Sequence, residues 1–408
     1  MKVYIENYGC ISNLCDAKKM ENLLKKAGFT IVDRFEQADA AVINTCTVTK
    51  FTERKMLKRI KNLSSKKLIV AGCLPAAQPE LLAHYNVETL TPSNLHEICE
   101  KLGSKIAAED RTPPSGITGA IGYISICEGC LGACSYCIVK KARGKLRSYN
   151  PDAIEAQVKI LVEQGAREIQ ITAQDTSSYG IDLNTNLAAL IKKISKIKGD
   201  FMIRVGMMNP ATAKPIIEEL LDAFASPKVF KFLHLPVQSG SNRILELMNR
   251  GYRIEDYCEI VHAFRARYPE LLLSTDYIVG FPGESKEDFE LTKKNLLEIK
   301  PVKVNITRFS PRPHTLAYEM PDMLERLKKQ RSRILTQLHH QITSEYYRSI
   351  IGKQLKVLTT ERGKQNTTIA RDNCYRNIVI KENLPLGKWF DVKVIDSSIT
   401  YAIAKQSI

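Results

Sequence analysis

The chain has 408 residues, and its length suggests roughly two to four domains. Its 44% hydrophobic and 25% charged residues are ordinary for a protein with a full core. No run of about 18 apolar residues is present, which argues against a membrane-spanning helix. MKVYIENYGC at the start lacks an apolar signal segment, so we expect a cytoplasmic protein. Lysine and arginine number 60 against 44 acidic residues, and this net charge of +16 favours a polyanionic partner, nucleic acid first.

The first hundred residues alternate between strand and helix patterns. Short apolar runs and helical spacings predict three strands and two helices, in chain order 3–8, 16–26, 40–44, 52–63 and 68–71. Such alternation predicts a parallel sheet covered by helices. The stretch 104–119 has two prolines and no periodicity, so we interpret it as a linker after an N-terminal domain of residues 1–103.

A second alternating region spans residues 120–343. Strands are predicted at 123–126, 168–172, 202–206, 230–235, 272–279 and 303–309. Helices are predicted at 152–164, 187–196, 214–224, 254–266, 286–297 and 324–344. Six βα units predict a partial (βα)6 barrel whose working face is the carboxyl end of the strands.

Residues 344–408 change to short β-like runs. They lie at 355–360, 366–370, 378–380, 389–395 and 401–404. This pattern predicts a small antiparallel β-barrel. The predicted fold class is therefore α/β, with an open parallel sheet, a partial barrel and a small β-barrel in that order.

The most informative motif is the run Cys130-Leu-Gly-Ala-Cys134-Ser-Tyr-Cys137, whose thiols we call the loop cysteines. They follow the first barrel strand and place three thiolates on one tight loop. Three corners of a cubane iron–sulfur cluster could be held there, with the fourth iron left open to a substrate or cofactor. The alternative is a zinc ion with Cys127 as its fourth ligand. Tyr136 would form an aromatic wall beside a bound cofactor.

A second set, the N-terminal cysteines, comprises Cys10, Cys46 and Cys73. Each follows the carboxyl end of a predicted parallel strand, and such ends share one edge of a sheet. The glycines at positions 9 and 72 permit a close approach of the backbone to a bulky group. We predict a second cluster here; the alternative is three unrelated buried thiols. Eleven cysteines without an export signal favour metal or redox chemistry over disulfides.

The loop cysteines resemble those of the radical S-adenosylmethionine (SAM) enzymes. Two cysteine sets in this order, followed by a small β module, resemble the methylthiotransferases within that group. The likeness continues through the runs at 171–175, 204–210, 234–241, 275–284 and 309–313. The sequence departs from the family at His314, where the family usually carries glycine.

The resemblance implies two [4Fe–4S] clusters and S-adenosyl-L-methionine as cofactors. One S-adenosylmethionine would donate its methyl group to a sulfur at the N-terminal cysteines, and a second would be cleaved at the loop cysteines to activate a C–H bond. Carried over position by position, the likeness implies that Gln174, Asp175, Arg204, Gln238 and Asp276 contact the cofactor or a nearby substrate. The alternative for each of them is a polar strand cap.

Basic segments favour RNA as the substrate. Five basic residues without an acidic one lie just after the loop cysteines, namely Lys140, Lys141, Arg143, Lys145 and Arg147. Positive surface grips phosphates, and the target base is read in an unstacked loop. The C-terminal module, which includes Arg371, resembles the RNA-binding TRAM domain.

The run from Cys127 to Gly144 resembles the archaeal and eukaryotic group, which acts on N6-threonylcarbamoyladenosine at position 37 of tRNA, beside the anticodon. The chain ends at Ile408 without the membrane tail of the eukaryotic relatives, so we expect the archaeal, cytoplasmic type. Electron and sulfur donors stay unidentified, and the resemblance implies a monomer. Two alternatives stay open: the same chemistry on a ribosomal-protein aspartate, and a zinc-stabilised RNA-binding protein.

Overall fold

The computed structural model describes residues 1–104 and 112–407. The N-terminal part is an open parallel sheet in the order β2-β1-β3-β4-β5. Its strands are β1 (Lys2–Asn7), β2 (Thr30–Val32), β3 (Ala40–Thr45), β4 (Lys67–Gly72) and β5 (Glu88–Leu90). The helices are α1 (Ile11–Lys26), α2 (Lys50–Leu63), α3 (Cys73–Ala77) and α4 (Ile98–Lys101).

Strand β3 is the centre of this sheet, and all of its residues are buried. Val42 packs into a core with α1 and α4, whereas Ile43 packs into a core with α2 on the opposite face. Side chains at alternate positions of β3 therefore pack into two separate cores, as expected of a parallel sheet covered on both faces. The predicted N-terminal sheet is confirmed.

The middle of the chain forms the predicted partial barrel. Its strands are β6 (Ser115–Thr118), β7 (Ile121–Ser125), β8 (Cys127–Glu128), β9 (Arg147–Ser148), β10 (Glu168–Thr172), β11 (Met202–Val205), β12 (Phe232–His234), β13 (Leu272–Val279) and β14 (Lys303–Arg308). Its helices are α5 (Val139–Arg143), α6 (Pro151–Glu163), α7 (Leu187–Ser195), α8 (Pro210–Ala213), α9 (Ile217–Phe224), α10 (Asn242–Leu247), α11 (Ile254–Arg267), α12 (Lys286–Ile299) and α13 (Glu325–Arg348). No helix of the described residues is both long enough and apolar enough to cross a bilayer.

The six predicted barrel strands correspond to β7 and β10 to β14. Two sheets in the orders β11-β10-β7-β6 and β12-β13-β14 are joined by a parallel bridge between Ile203 and Val229. Part of the predicted linker is instead strand β6, which pairs antiparallel with β7. Residues 105–111 of that linker lie outside the described residues.

The C-terminal part is a closed barrel of strands β15 (Gln354–Arg362), β16 (Thr368–Arg371), β17 (Asn377–Ile380), β18 (Trp389–Ser397) and β19 (Ala402–Gln406). Its strands pair antiparallel as predicted, except that β17 and β19 pair parallel, with Ile378 opposite Ala402. This single parallel pair closes the barrel.

The C-terminal barrel plugs the amino-terminal end of the central barrel with Tyr375. The Tyr375 hydroxyl donates to Glu168 Oε1 at 2.7 Å and accepts from Gln170 Nε2 at 3.1 Å. Its ring lies 4.9 Å from the ring of Phe230 and 4.8 Å from that of Phe232. The central barrel is therefore filled at this end by a side chain from another domain.

Lys303 in β14 carries a pH-dependent cost at this contact. Burial, with repulsion from Arg371 and Arg204, lowers the pKa of Lys303 to about 7, whereas the unfolded chain keeps about 10.4. Between about pH 7 and pH 10 the unfolded state therefore binds more protons, so the free energy of unfolding rises with pH. We expect Lys303→Met to raise the free energy of unfolding by about 1 kcal/mol or more below pH 7, because each unit of pKa depression corresponds to about 1.4 kcal/mol.

The gain should shrink as the pH rises above about 7 and disappear above about 10.4, where Lys303 is neutral in both states. Urea denaturation of the wild-type protein and the variant across this range measures the difference. A difference that stays constant with pH would show that Lys303 is not destabilised by its charge.

Candidate functional site

The structure brings the N-terminal cysteines together at one edge of the first sheet. Cys10 precedes α1, Cys46 follows β3, and Cys73 begins α3. The sulfurs of Cys10 and Cys73 lie 3.6 Å and 3.7 Å from the same atom, Asn13 Oδ1. A Cβ placed on Gly9 would lie 3.0 Å from the Cβ of Cys46. All three thiols therefore border one small space.

Asn13 organises this space, and the sequence analysis did not single it out. Its Nδ2 donates to the carbonyl oxygens of Tyr8 and Thr45, each at 2.9 Å, which fixes the turns that lead to Cys10 and Cys46. Gly72 allows β4 to approach equally closely, because a Cβ there would lie 2.3 Å from Asn44 Oδ1. In the sequence, the one feature that could have indicated this role is the position of Asn13, one helical turn after Cys10.

The donor chemistry of this space fits an iron–sulfur cluster. Among the described residues, no three Cys, His, Asp or Glu side chains are gathered around the position of a single metal ion. A cubane has a different requirement, since each thiolate binds its own iron. Burial raises the pKa of Cys73 to about 12 and also raises that of Cys46. Binding iron must therefore release protons from these thiols.

The loop cysteines lie between β8 and α5, where local hydrogen bonds hold the loop. The amide of Gly132 donates to the sulfur of Cys130 at 3.3 Å, and the Nζ of Lys140 donates to the carbonyl of Gly132 at 2.8 Å. Cys127 is fully buried in the barrel core, with its sulfur 3.9 Å from the carbonyl oxygen of Asp175.

Arg250 supplies a charged contact to the loop that sequence reasoning missed. Its Nη1 donates to the sulfur of Cys134 at 3.1 Å, and its guanidinium lies 5.3 Å from the ring of Tyr252. Arg250 is only 9% exposed. A buried cation therefore lies against one sulfur of the loop and orients it.

One cavity of 480 Å³ lies between the N-terminal sheet and the barrel mouth. Cys137 and Tyr136 line it from the loop, and Val48 and Thr49 line it from the segment just after Cys46. The two cysteine sets are also joined by packing, because Cys73 shares an apolar cluster with Ile138 and Ala142.

Arg312 fixes the far wall of this cavity. It is 2% exposed, donates to Thr47 Oγ1 at 3.0 Å and forms an ion pair with Glu53. A residue from the end of the barrel is thus bonded to the loop that follows Cys46. The two domains form the cavity jointly.

Comparisons with known proteins agree with this arrangement. Family models match the chain for the uncharacterized protein family UPF0004 over residues 2–91, the Radical SAM superfamily over 124–296 and the TRAM domain over 348–405. The probable threonylcarbamoyladenosine tRNA methylthiotransferase of Pyrococcus horikoshii is 41% identical over 99% of both chains. That of Archaeoglobus fulgidus is 42% identical over 99% of this chain and 98% of the relative.

The chain belongs to the threonylcarbamoyladenosine tRNA methylthiotransferase family. It is a radical SAM methylthiotransferase. The Homo sapiens member is 32% identical, over 97% of this chain and 72% of the relative. Among solved structures, the radical S-adenosylmethionine methyltransferase TsrM from Kitasatospora setae aligns with a TM-score of 0.59 at 15% identity, over 78% and 77% of the two chains. That likeness shows the radical SAM fold.

Three residues predicted to contact the cofactor line the methylthiotransferase cavity: Tyr136, Gln238 and Asp276. Asp276 accepts from Asn305 Nδ2 and lies 3.3 Å from the Nε2 of His234. Gln238 has a positive φ of 71°, and its backbone N–H donates to the backbone carbonyl of Asp276 at 2.8 Å.

Gln174 lies beside the N-terminal domain instead, with its Nε2 3.2 Å from Ser12 Oγ. Its Oε1 is buried and has no hydrogen-bond partner. A buried amide oxygen without a partner is costly, so Gln174 is suited to receive a donor from a bound group.

Two further residues predicted to contact the cofactor, Asp175 and Arg204, do not line this cavity. Asp175 is buried and accepts from the Thr212 hydroxyl at 2.7 Å and from the Asn209 backbone amide at 3.0 Å, contacts that the alternative of a polar strand cap would also make. The guanidinium of Arg204 lies 5.9 Å from the ring of Tyr375, at the plugged end of the barrel. Strand alternation places Arg204 inside the barrel but does not say at which depth.

Some of the residues predicted to contact RNA are exposed, and others are buried. Lys141, Lys145 and Arg147 are exposed, and Arg147 pairs with Glu128 at 2.8 Å. Lys140 is half-buried and bonded to the cysteine loop. Arg143 and Arg371 are not surface residues: the Arg143 side chain is 2% exposed, and that of Arg371 is 13% exposed and packs 5.2 Å from the Tyr375 ring.

His314 departs from the family glycine, and the structure shows what that position requires. Its φ is +65°, in the left-handed region that favours glycine. The ring Nε2 lies 3.6 Å from Glu80 Oε1. His314 therefore adopts a backbone conformation for which it is less suited than glycine.

Proposed function

We propose that this enzyme transfers a methylthio group to C2 of N6-threonylcarbamoyladenosine at position 37 of tRNA, with two [4Fe–4S] clusters and two molecules of S-adenosylmethionine. The observation that carries the proposal is that the two cysteine sets meet at one contact between the domains. Cys73 packs in a cluster with Ile138, the residue after Cys137, and Cys137 lines the cavity that both domains form. The printed names of relatives that are about 40% identical along nearly the whole chain support the same activity.

When bound, the two clusters would supply the electron that cleaves S-adenosylmethionine and the site that holds the transferred sulfur. The chain itself orients the reactants. Tyr136, packed edge-on to Phe281 with ring centroids 6.2 Å apart, gives a rigid apolar wall beside Cys137. Asp276 and Gln238 on the opposite wall offer a carboxylate and an amide to a polar ligand.

Apolar side chains line part of this cavity from both domains. Val48 lines it on the N-terminal side, and Ile278 and Phe309 line it on the barrel side. Removing water protects reactive species from side reactions and strengthens polar contacts. A base flipped out of an anticodon loop would complete the enclosure, because RNA readers splay such bases from their stack.

The exposed basic residues after the loop cysteines fit a tRNA substrate. Lys141, Lys145 and Arg147 lie on the segment that leads away from the loop. Phosphate contacts of this kind provide sequence-independent affinity that weakens as salt increases. Cytoplasmic location, monomeric state and separate electron and sulfur donors remain predictions.

Nucleoside mass spectrometry of tRNA tests this function. We expect cells with the protein to contain 2-methylthio-N6-threonylcarbamoyladenosine, and cells without it to contain the unmodified N6-threonylcarbamoyladenosine. Anaerobically purified protein should carry about eight irons from two cubanes. If the tRNA were unchanged and a ribosomal protein were methylthiolated, the substrate would instead be the ribosomal-protein aspartate. Purified protein that contained stoichiometric zinc and negligible iron would contradict the radical mechanism.

A further inference from the structure

Arg143 crosses from the radical SAM domain into the N-terminal domain. It lies at the end of α5, six residues after Cys137, yet its Nη2 donates to Asn13 Oδ1 at 3.0 Å. The same nitrogen lies 2.5 Å from Asp16 Oδ2 in an ion pair. The Arg143 and Asp16 side chains are 2% and 1% exposed. This is a buried, charged contact between the two domains that carry the cysteine sets.

The atom that Arg143 contacts is the one shared by two of the N-terminal cysteines. Asn13 Oδ1 lies 3.6 Å from the Cys10 sulfur and 3.7 Å from the Cys73 sulfur. Asn13 also holds the carbonyl of Thr45, the residue before Cys46. A single guanidinium is therefore linked through one side chain to all three cysteine-bearing turns.

Stability alone gives no reason for this charge. A buried ion pair costs desolvation that its attraction only partly repays, and apolar replacements are often neutral or stabilising. An apolar contact already exists at the same place, since Ala142 packs against Cys73. The guanidinium adds a positive charge next to sulfur ligands, where charge and hydrogen bonds set the potential of an iron–sulfur cluster.

We propose that Arg143 is a positioning residue for a cluster at the N-terminal cysteines, holding their turns through Asn13 and raising the reduction potential of that cluster. The inference rests on the second cluster of the proposed function. A nearby cation favours the more negative, reduced state of a cluster. Asp16 opposes this effect from the next turn of α1. The radical SAM domain would thereby tune the cofactor of its neighbour.

The test uses a parent protein in which Cys130, Cys134 and Cys137 are alanine, so that only the N-terminal cysteines can load a cluster. Iron content, electron paramagnetic resonance and a redox titration are measured after reconstitution. Arg143→Met is compared with Arg143→Lys, which keeps the charge. The matched control is Arg147→Met, which removes an exposed cation from the same segment.

We expect Arg143→Met to shift the midpoint potential negative by at least tenfold in the one-electron equilibrium, about 59 mV. Arg143→Lys should retain most of the parent potential, and Arg147→Met should not move it. Asp16→Asn serves if Arg143→Met does not fold, and it should shift the potential in the positive direction.

An Arg143→Met protein with full iron and the parent's spectrum and potential would overturn this inference while leaving the second cluster in place. The same holds for an Asp16→Asn protein whose potential does not move. A parent that folds but binds no iron would instead remove the second cluster, and with it the proposed function of the N-terminal cysteines.

Discussion

Replacement of Cys73 by alanine is expected to abolish methylthio transfer while S-adenosylmethionine is still cleaved. Cys73 lies among the N-terminal cysteines, and the loop cysteines that would support cleavage belong to the barrel domain and are unchanged in this variant. Loss of one ligand should reduce bound iron from about eight to about four per chain, since one cubane of four irons is lost. Iron analysis and chromatography of 5′-deoxyadenosine and modified nucleoside measure the two effects separately.

Cys99→Ala is the matched control for this variant. Cys99 is a buried thiol of the same domain, 1% exposed, and packs in the apolar core around α4. It should keep full iron and full transfer. Cys137→Ala should lose both cleavage and transfer, which distinguishes the two sets. Wild-type transfer by Cys73→Ala would show that the N-terminal cysteines are not a site.

The second large effect is expected from Tyr375, the side chain that plugs the central barrel. Tyr375→Ala removes a ring that packs against Phe230 and Phe232. The cavity left behind should lower the free energy of unfolding by about 3–5 kcal/mol. Tyr375→Phe keeps the ring and removes one hydrogen bond to Glu168 Oε1, which still accepts from Gln170 Nε2 at 2.7 Å, so the cost should be only about 0.5–1.5 kcal/mol. Urea denaturation measures both differences.

Limited proteolysis of the same variants reports where the loss occurs. Cleavage between the central barrel and the C-terminal barrel should become faster in Tyr375→Ala, because the ring joins those two domains. Tyr318→Ala is the control, since Tyr318 is 48% exposed. Equal stability of Tyr375→Ala and the control would show that the plug does not hold the domains together.

The strands and the cysteine sets could be predicted from local patterns. Apolar runs such as those at β3 and β13 are visible in any short window, and cysteines that follow strands of one parallel sheet must share an edge. The predicted site residues Tyr136 and Asp276 line the cavity for the same reason, because each lies at the carboxyl end of the barrel.

The remainder depends on contacts between distant parts of the chain. Arg143 stands in a run of basic residues typical of a solvated surface, yet the short helix α5 packs against α3 and buries it. Strand β6 is short and gains its order from pairing with β7, and the parallel pairing of β17 with β19 has no local signature. Arg250 meets Cys134 across 116 positions of sequence, which no spacing rule connects.

The Tyr375 plug has a consequence for the order in which substrates bind and products leave. Because Tyr375 fills the amino-terminal end of the barrel, we expect a small molecule to enter at the opposite end, where the cavity lies. A bulky polyanion seated on that rim would act as a lid over whatever had entered first. Productive turnover should thus require loading of the small cosubstrate ahead of the macromolecule, and departure of the macromolecule before the spent fragments escape.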